Sequence, residues 1–187
     1  MESLDLENVR EEVITFMNSF VLAAGLPLQV SRIDDDVYRK LQLYKSAEIE
    51  WDWAIQYLNK NSHFDLAIGI QLDDDIDGLA IGIYQKDNEV LEIQAVESFV
   101  RFKDEHPLRG RMVELTIIAA TYFVILVSGK GVHLIDPLDD KLITYYETFG
   151  FVLDSSYDET LIRRMVSDLD TLIARFEEIL ASYGITH

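Results

Sequence analysis

The sequence predicts a mixed α/β (α+β) domain built on one central sheet, and three observations predict it. Hydrophobic side chains make up 49% of the 187 residues and charged ones 27%, a balance that fills a core. Segments of helical periodicity interleave with short β-rich runs along the whole length. No repeat, low-complexity tract or Pro/Gly/Ser-rich linker divides the chain, and its three prolines (Pro27, Pro107, Pro137) fall between periodic segments. Residues 1–187 therefore read as one domain, with an N-terminal helical extension over 1–27, a core over 28–166 and a C-terminal helix over 167–187.

Leu6, Val9, Val13, Phe16, Met17 and Phe20 recur at helical spacing with Glu7, Glu11 and Glu12 on the polar side, which predicts an amphipathic helix over 5–22. A short strand over 27–33 follows. Asp34, Asp35 and Asp36 offer N-caps for a helix reaching about Ser46. A second helix, from about Glu48 to Leu58, carries Trp51 and Trp53. The β-rich runs 64–72 and 79–85 flank Asp73-Asp74-Asp75-Ile76-Asp77-Gly78, whose Asp77-Gly78 pair signals a hairpin turn at an exposed tip. A third strand covers Val90–Val96. The stretch Leu108–Val127 reads as a helix ended by Gly129 and Gly131. Then come a strand over Val132–Ile135, a helix over Lys141–Phe149, and strands over Phe151–Leu153 and Thr160–Met165. The last helix, Asp168–Tyr183, has Ser167 and Asp170 as a capping box and Leu169, Leu172, Ile173, Phe176, Leu180 and Tyr183 as its apolar stripe.

Composition narrows the chemistry. There is no cysteine, so disulfides, thiolate nucleophiles and thiolate metal sites are excluded, and a cytoplasmic location is expected. The formal charge of −18 repels nucleic acid and anionic lipid and favours a basic partner. Met1-Glu2-Ser3-Leu4-Asp5 lacks the basic-then-apolar pattern of a signal peptide, and the apolar run Leu115–Val127 is shorter than the ~18 residues of a membrane span. No metal is expected. Asp73, Asp75, Asp77 and Gly78 match the first half of a calcium loop, but Tyr84 stands where a bidentate glutamate is required, and His63, His106, His133 and His187 have no ligand spacing. Serine-hydrolase elbows, P-loops and dinucleotide-binding glycine motifs are absent.

One segment is locally basic. Residues 101–111 carry Arg101, Lys103, Arg109 and Arg111 against Asp104 and Glu105, and lead into the start of the long apolar helix. Free N–H groups and the positive end of the dipole suit a phosphate there.

Beyond it, the strand Val132–Ile135, Pro137, and the helix ending Tyr145-Tyr146-Glu147-Thr148-Phe149-Gly150-Phe151 resemble the C-terminal signature of the GNAT N-acetyltransferase superfamily, an aromatic-Tyr-x-x-x-Gly-Phe pattern followed by a closing strand pair. The resemblance spans roughly 28–166 and is clearest over 130–166. It implies a mixed sheet splayed near Val96 and the 109–127 helix as the acyl-CoA-binding helix. It also implies acetyl-CoA or another acyl-CoA as co-substrate, bound by Val96, Arg109, Gly110, Arg111, Met112 and Tyr145. Tyr146 takes the place of the general acid on the leaving thiolate, and Glu92 and Glu97, flanking the end of the third strand, are candidate bases for the amine. The pyrophosphate loop departs from the family pattern, because Met112 and Glu114 stand where two glycines are usual. Two functions follow as expectations: N-acyl transfer to a small-molecule amine or basic protein or peptide, or a GNAT-like binding module without catalysis. The terminal amphipathic helices offer a possible homodimer surface.

Overall fold

The computed structural model describes residues 5–44, 47–157 and 162–185, with Ala54 and Ile55 described by backbone alone. Its elements are α1 (Leu6–Ala23), β1 (Leu28–Ser31), α2 (Asp35–Leu41), α3 (Trp51–Ile55) with a 3-10 turn at Gln56–Asn59, β2 (His63–Ile70), β3 (Gly78–Gln85), β4 (Val90–Ser98), α4 (Met112–Leu126), β5 (Gly131–Ile135), α5 (Asp140–Glu147), β6 (Val152–Leu153), β7 (Arg164–Asp168) and α6 (Leu169–Ser182). They build one sheet in the order β1-β2-β3-β4-β5-β7-β6. The first four strands form an antiparallel meander, β5 joins parallel to β4, and β7 lies antiparallel between β5 and β6. The parallel pair requires a crossover, and α4 supplies it.

Each face of the sheet has its own core. On one, α4 is apolar nearly all round and is enclosed accordingly: Leu115, Ile118, Ala119, Ala120, Phe123 and Val124 are fully buried. The outer side of α4 is covered by α1 and α6, with Phe16 stacked on Tyr122 at 4.1 Å. On the other face Ile33, Val37, Leu41 and Trp51 pack on Ala67, Leu79, Ile81 and Ala95. Strands β2 and β3 are thus buried on both sides, which explains their continuous apolar runs.

Several boundaries differ from the sequence expectation, each for a local reason. The helix after Asp34 ends at Leu41; Ser46, its expected end, lies outside the described residues. The long helix begins at Met112, not near 108, because Gly110 takes a left-handed φ of +71° that a helix cannot propagate through. It is terminated by Ser128 at φ 52°, ahead of Gly129. The closing strand is Arg164–Asp168, fixed by its ladder to β5, whereas Thr160 lies outside the described residues. Ser167 is therefore a strand residue and not a cap: Asp168 caps α6, accepting from the Thr171 N–H at 2.8 Å.

The Asp77-Gly78 pair is also not an exposed turn tip. Asp73 and Asp75 are exposed, but Asp77 is buried and its carboxylate lies 3.2 Å from His106 Nε2. Burial pushes the Asp77 carboxyl up despite the imidazole beside it. Gly78 is the first residue of β3, and a Cβ there would come within 2.4 Å of Met112 Sδ and 2.9 Å of Leu108 Cδ2. The glycine lets the start of α4 sit against the sheet.

A charge network ties α1 to the sheet. Asp65 of β2, fully buried, accepts from Arg32 Nε at 3.0 Å and from the Ile33 N–H at 2.6 Å, and faces His63 Nε2 at 3.2 Å. Arg32 Nη1 reaches Glu7 and Glu11 of α1, each at 3.1 Å. Burial alone would push Asp65 up; the hydrogen bond from His63, the charge of Arg32 and the Ile33 N–H outweigh it and hold the carboxyl below its ordinary 3.8. A carboxyl depressed in the folded state stabilises the fold above its unfolded value, and that contribution is lost as the pH falls through 3.8 and below. Asp65→Asn should therefore lower the Tm at neutral pH and flatten the acid side of a Tm–pH profile between about pH 5 and 2. A variant profile as steep as the wild type would place the acid lability elsewhere.

Candidate active site

Strands β4 and β5 pair only from Val90↔Gly131 to Ile93↔Leu134. Beyond that, β4 continues along β3 to Ser98 while β5 ends at Ile135. A bulge sits at the parting: Gln94 is the extra residue between the pairs Ile81↔Ala95 and Gly82↔Ile93. Bulges bend and twist a strand, and this one turns β4 away from β5. The sheet opens from Gln94 through Val96, and alternate backbone groups of β4 face the gap without a strand partner.

A cavity of about 330 Å³ fills the gap, at the lower end of the ~300–1,000 Å³ of ligand sites. Val113, Thr116 and Ile117 of α4 line it from one face of the sheet, and Ile49, Trp53 and Tyr57 from the other, so it passes between the strands from face to face. Leu142 and Tyr146 of α5 wall one side, and Val96 lies at the parting itself. Burial, with smaller contributions from Tyr145 and Asp139, pushes the Tyr146 phenol up to about 12. It stays protonated at any physiological pH.

The basic loop precedes α4. No side chain caps this helix, which leaves its first-turn N–H groups without a side-chain acceptor. Nothing stands within 4 Å of where a Gly110 Cβ would be. Neither Met112 nor Glu114, the residues that depart from the expected glycine pattern, fills that space: Met112 is buried against Gly78, and Glu114 accepts from the hydroxyl of Tyr183, the C-cap of α6, at 2.6 Å. The loop is shaped from within. Arg109 pairs with Asp104, Arg111 Nη1 donates to the Pro107 carbonyl at 2.9 Å, and the Leu108 N–H donates to His106 Nδ1 at 3.1 Å. Tyr145 stands over it, its hydroxyl 3.5 Å from the Gly110 carbonyl, and its phenol is raised by burial and by Glu114.

The two glutamates lie apart from this arrangement. Glu97 is 5% exposed and its carboxylate is saturated: Oε1 accepts from the Glu48 N–H at 2.5 Å, and Oε2 from the Ile49 N–H at 3.2 Å and Trp51 Nε1 at 2.8 Å. The carboxylate anchors the segment entering α3, and Glu97 is not among the residues that line the cavity. Glu92 is held by Gln85 Nε2 at 2.8 Å and is likewise outside the cavity lining.

Among the described residues, no cluster of His, Cys, Asp and Glu is spaced for a metal, and no helix is long and apolar enough to cross a membrane. No protein-family model and no curated sequence matches the chain. Solved structures do. A mutant of the spermidine N-acetyltransferase SpeG from Vibrio cholerae aligns over 80% of this chain and 98% of its own, with a TM-score of 0.56 at 14% identity. Further mutant forms of that spermidine/spermine N-acetyltransferase give 0.58 over the same shares, also at 14%. A protein given as an acyl-CoA N-acyltransferase of Klebsiella pneumoniae gives 0.55 over 76% and 97% at 12%. The chain has the GNAT fold.

Within this GNAT fold the sheet parts at Gln94, two residues before the expected Val96. Several lining residues were not singled out from sequence. Gln94 gave no signal, since Glu92-Ile93-Gln94-Ala95 alternates as an ordinary strand. Asp136 did carry one: Asp-Pro after a strand marks a turn, and Asp136 takes φ 54° just beyond β5. Trp53 and Tyr57 were legible as aromatics, but not as one edge-to-face pair with centroids 5.8 Å apart.

Proposed function

We propose that the chain is an acyl-CoA-dependent N-acyltransferase that passes an acetyl or other acyl group to an amine by direct attack. The observation that carries this reading is the cavity through the parted sheet, with Tyr146 on its wall and Val113, from the first turn of the helix after the basic loop, on its floor. The residues present fit such a co-substrate. Phosphates suit the open space beside Gly110, the uncapped N–H groups of α4 and the guanidiniums of Arg109 and Arg111. An amide-containing arm suits the unpartnered backbone groups between Gln94 and Ser98. Acyl-CoA supplies the activated acyl group: an acceptor that arrives as an ammonium first gives one proton to solvent, the amide C–N bond then forms as the thioester C–S bond breaks, and the second proton of the attacking nitrogen ends on the thiol.

The protein's part is orientation and charge stabilisation. The apolar walls exclude water, and the strand edge fixes the arm. Tyr146 holds its proton to about 12, far above the ~8.5 of a thiol. It therefore donates a hydrogen bond to the developing sulfur charge and remains a phenol. The surface, in a chain of −18, draws cationic acceptors toward the site.

Calorimetric titration with acetyl-CoA tests the reading. Binding is expected, and Arg109→Ala with Arg111→Ala should weaken it about tenfold and make it less salt-dependent. No binding at millimolar acetyl-CoA would remove the acyltransferase in favour of a module that only shares the fold.

A further inference from the structure

We infer that the acceptor is a primary amine carried on a single apolar or aromatic body, with its one ammonium met by Asp136; this rests on the acyl-transfer reading above. The lining of the cavity decides the class. Among its described lining residues Asp136 is the only charged one, and no Lys, Arg or His joins it. The α3 side is Ile49, Trp53 and Tyr57, and Leu138, left 74% exposed, also lines the cavity. A ligand charged along its length would have to lay further ammoniums against these side chains, losing water without gaining a partner. An amine with one charge and an apolar body loses nothing by it.

The position of Asp136 supports the assignment. It follows Ile135, the last residue of β5, where the sheet has already parted. Its backbone is left-handed at φ 54°, a conformation that aspartate tolerates better than most residues, and its N–H is fixed to the Arg163 carbonyl at 2.8 Å. Its carboxylate makes no ion pair among the described residues. The guanidinium of Arg163 is engaged instead by Asp140 at 2.9 Å and by the Pro137 carbonyl at 3.1 Å. A negative charge at the mouth of an apolar cavity, on a rigid backbone and without a counterion, is complementary to an ammonium.

The experiment compares phenethylamine, ethylamine and spermidine as acceptors with acetyl-CoA, alongside acetyl-CoA titration of the same protein. Phenethylamine is expected to show a kcat/KM at least about tenfold above spermidine, the two differing in charge number and apolar body. Asp136→Asn should raise the KM for phenethylamine about tenfold with kcat and acetyl-CoA affinity little changed. Trp53→Ala should raise the KM for phenethylamine but not for ethylamine. Spermidine preferred, no amine acetylated although acetyl-CoA binds, or an Asp136→Asn KM equal to wild type would each overturn the inference while the donor site stands. Absence of acetyl-CoA binding would remove the acyl-transfer reading and this inference with it.

Discussion

Tyr146→Phe should slow acyl transfer about 100-fold while leaving acetyl-CoA affinity unchanged, the lower end of the ~10²–10³ that one preorganised hydrogen-bond donor to developing charge contributes. The phenol lines the cavity, and its proton is held up to about 12, chiefly by burial. Removing the oxygen leaves the ring and its packing in place, so the bound state loses little. On the proposed reaction, what disappears is a donor to the charge that develops on sulfur, an interaction made in the transition state alone. The pH profile gives an independent check. A phenol held near 12 puts no basic limb on the wild-type rate below about pH 11, and the variant should keep the same profile shape at lower rate. Thiol release under saturating amine measures the rate, and calorimetry the affinity. A variant turning over like wild type would reduce Tyr146 to a packing residue.

The parts of this molecule that were legible from sequence are those set by local chemistry. The Tyr145-Tyr146 and Gly150-Phe151 signature located α5 and with it Tyr146, since residue spacing on one short helix survives whatever surrounds it. The apolar stretch now seen as α4 announced a buried helix because no other element hides that many consecutive apolar residues. What was not legible depended on partners distant in the chain. The bulge at Gln94 exists through the register of β3 against β4, and nothing in either strand alone marks it. Gly78 was read as a turn former, when its small size is needed by Met112 and Leu108, some thirty residues on. Glu114 was marked only as standing where the resemblance expects a glycine; the hydroxyl of Tyr183, from the last helix, donates to it. Glu97 was, with Glu92, a candidate base through the resemblance, and only the folded segment 48–51 shows where its oxygens go.

Glu97→Ala should lower stability by about 3 kcal/mol and raise the KM for the amine without altering acetyl-CoA affinity. The carboxylate accepts from two backbone N–H groups and one indole N–H while itself buried. A buried donor left without an acceptor costs roughly 1–3 kcal/mol, and water entering the vacated space recovers part of that for three of them. For a chain of this length the loss corresponds to a Tm lower by roughly 6–12 °C. The functional consequence follows from which residues the segment carries. Ile49 is bonded through its own N–H to Glu97, and Trp53 lies two residues beyond the anchored Trp51, so two residues of the α3 side of the cavity lose their support. The loop at Gly110 is built from other contacts, so the acetyl-CoA affinity is expected to be unchanged. Glu97→Gln separates this from catalysis by the carboxylate. An amide of the same size still offers one oxygen to part of the donor set, so as an anchor it should give an intermediate Tm and an intermediate KM with kcat retained. Were Glu97 the base, the amide would abolish kcat and leave the Tm near wild type, because its bulk would still fill the site. Thermal melts and steady-state kinetics on the two variants distinguish these outcomes, and loss of kcat in the glutamine variant at unchanged Tm would restore Glu97 to the chemistry.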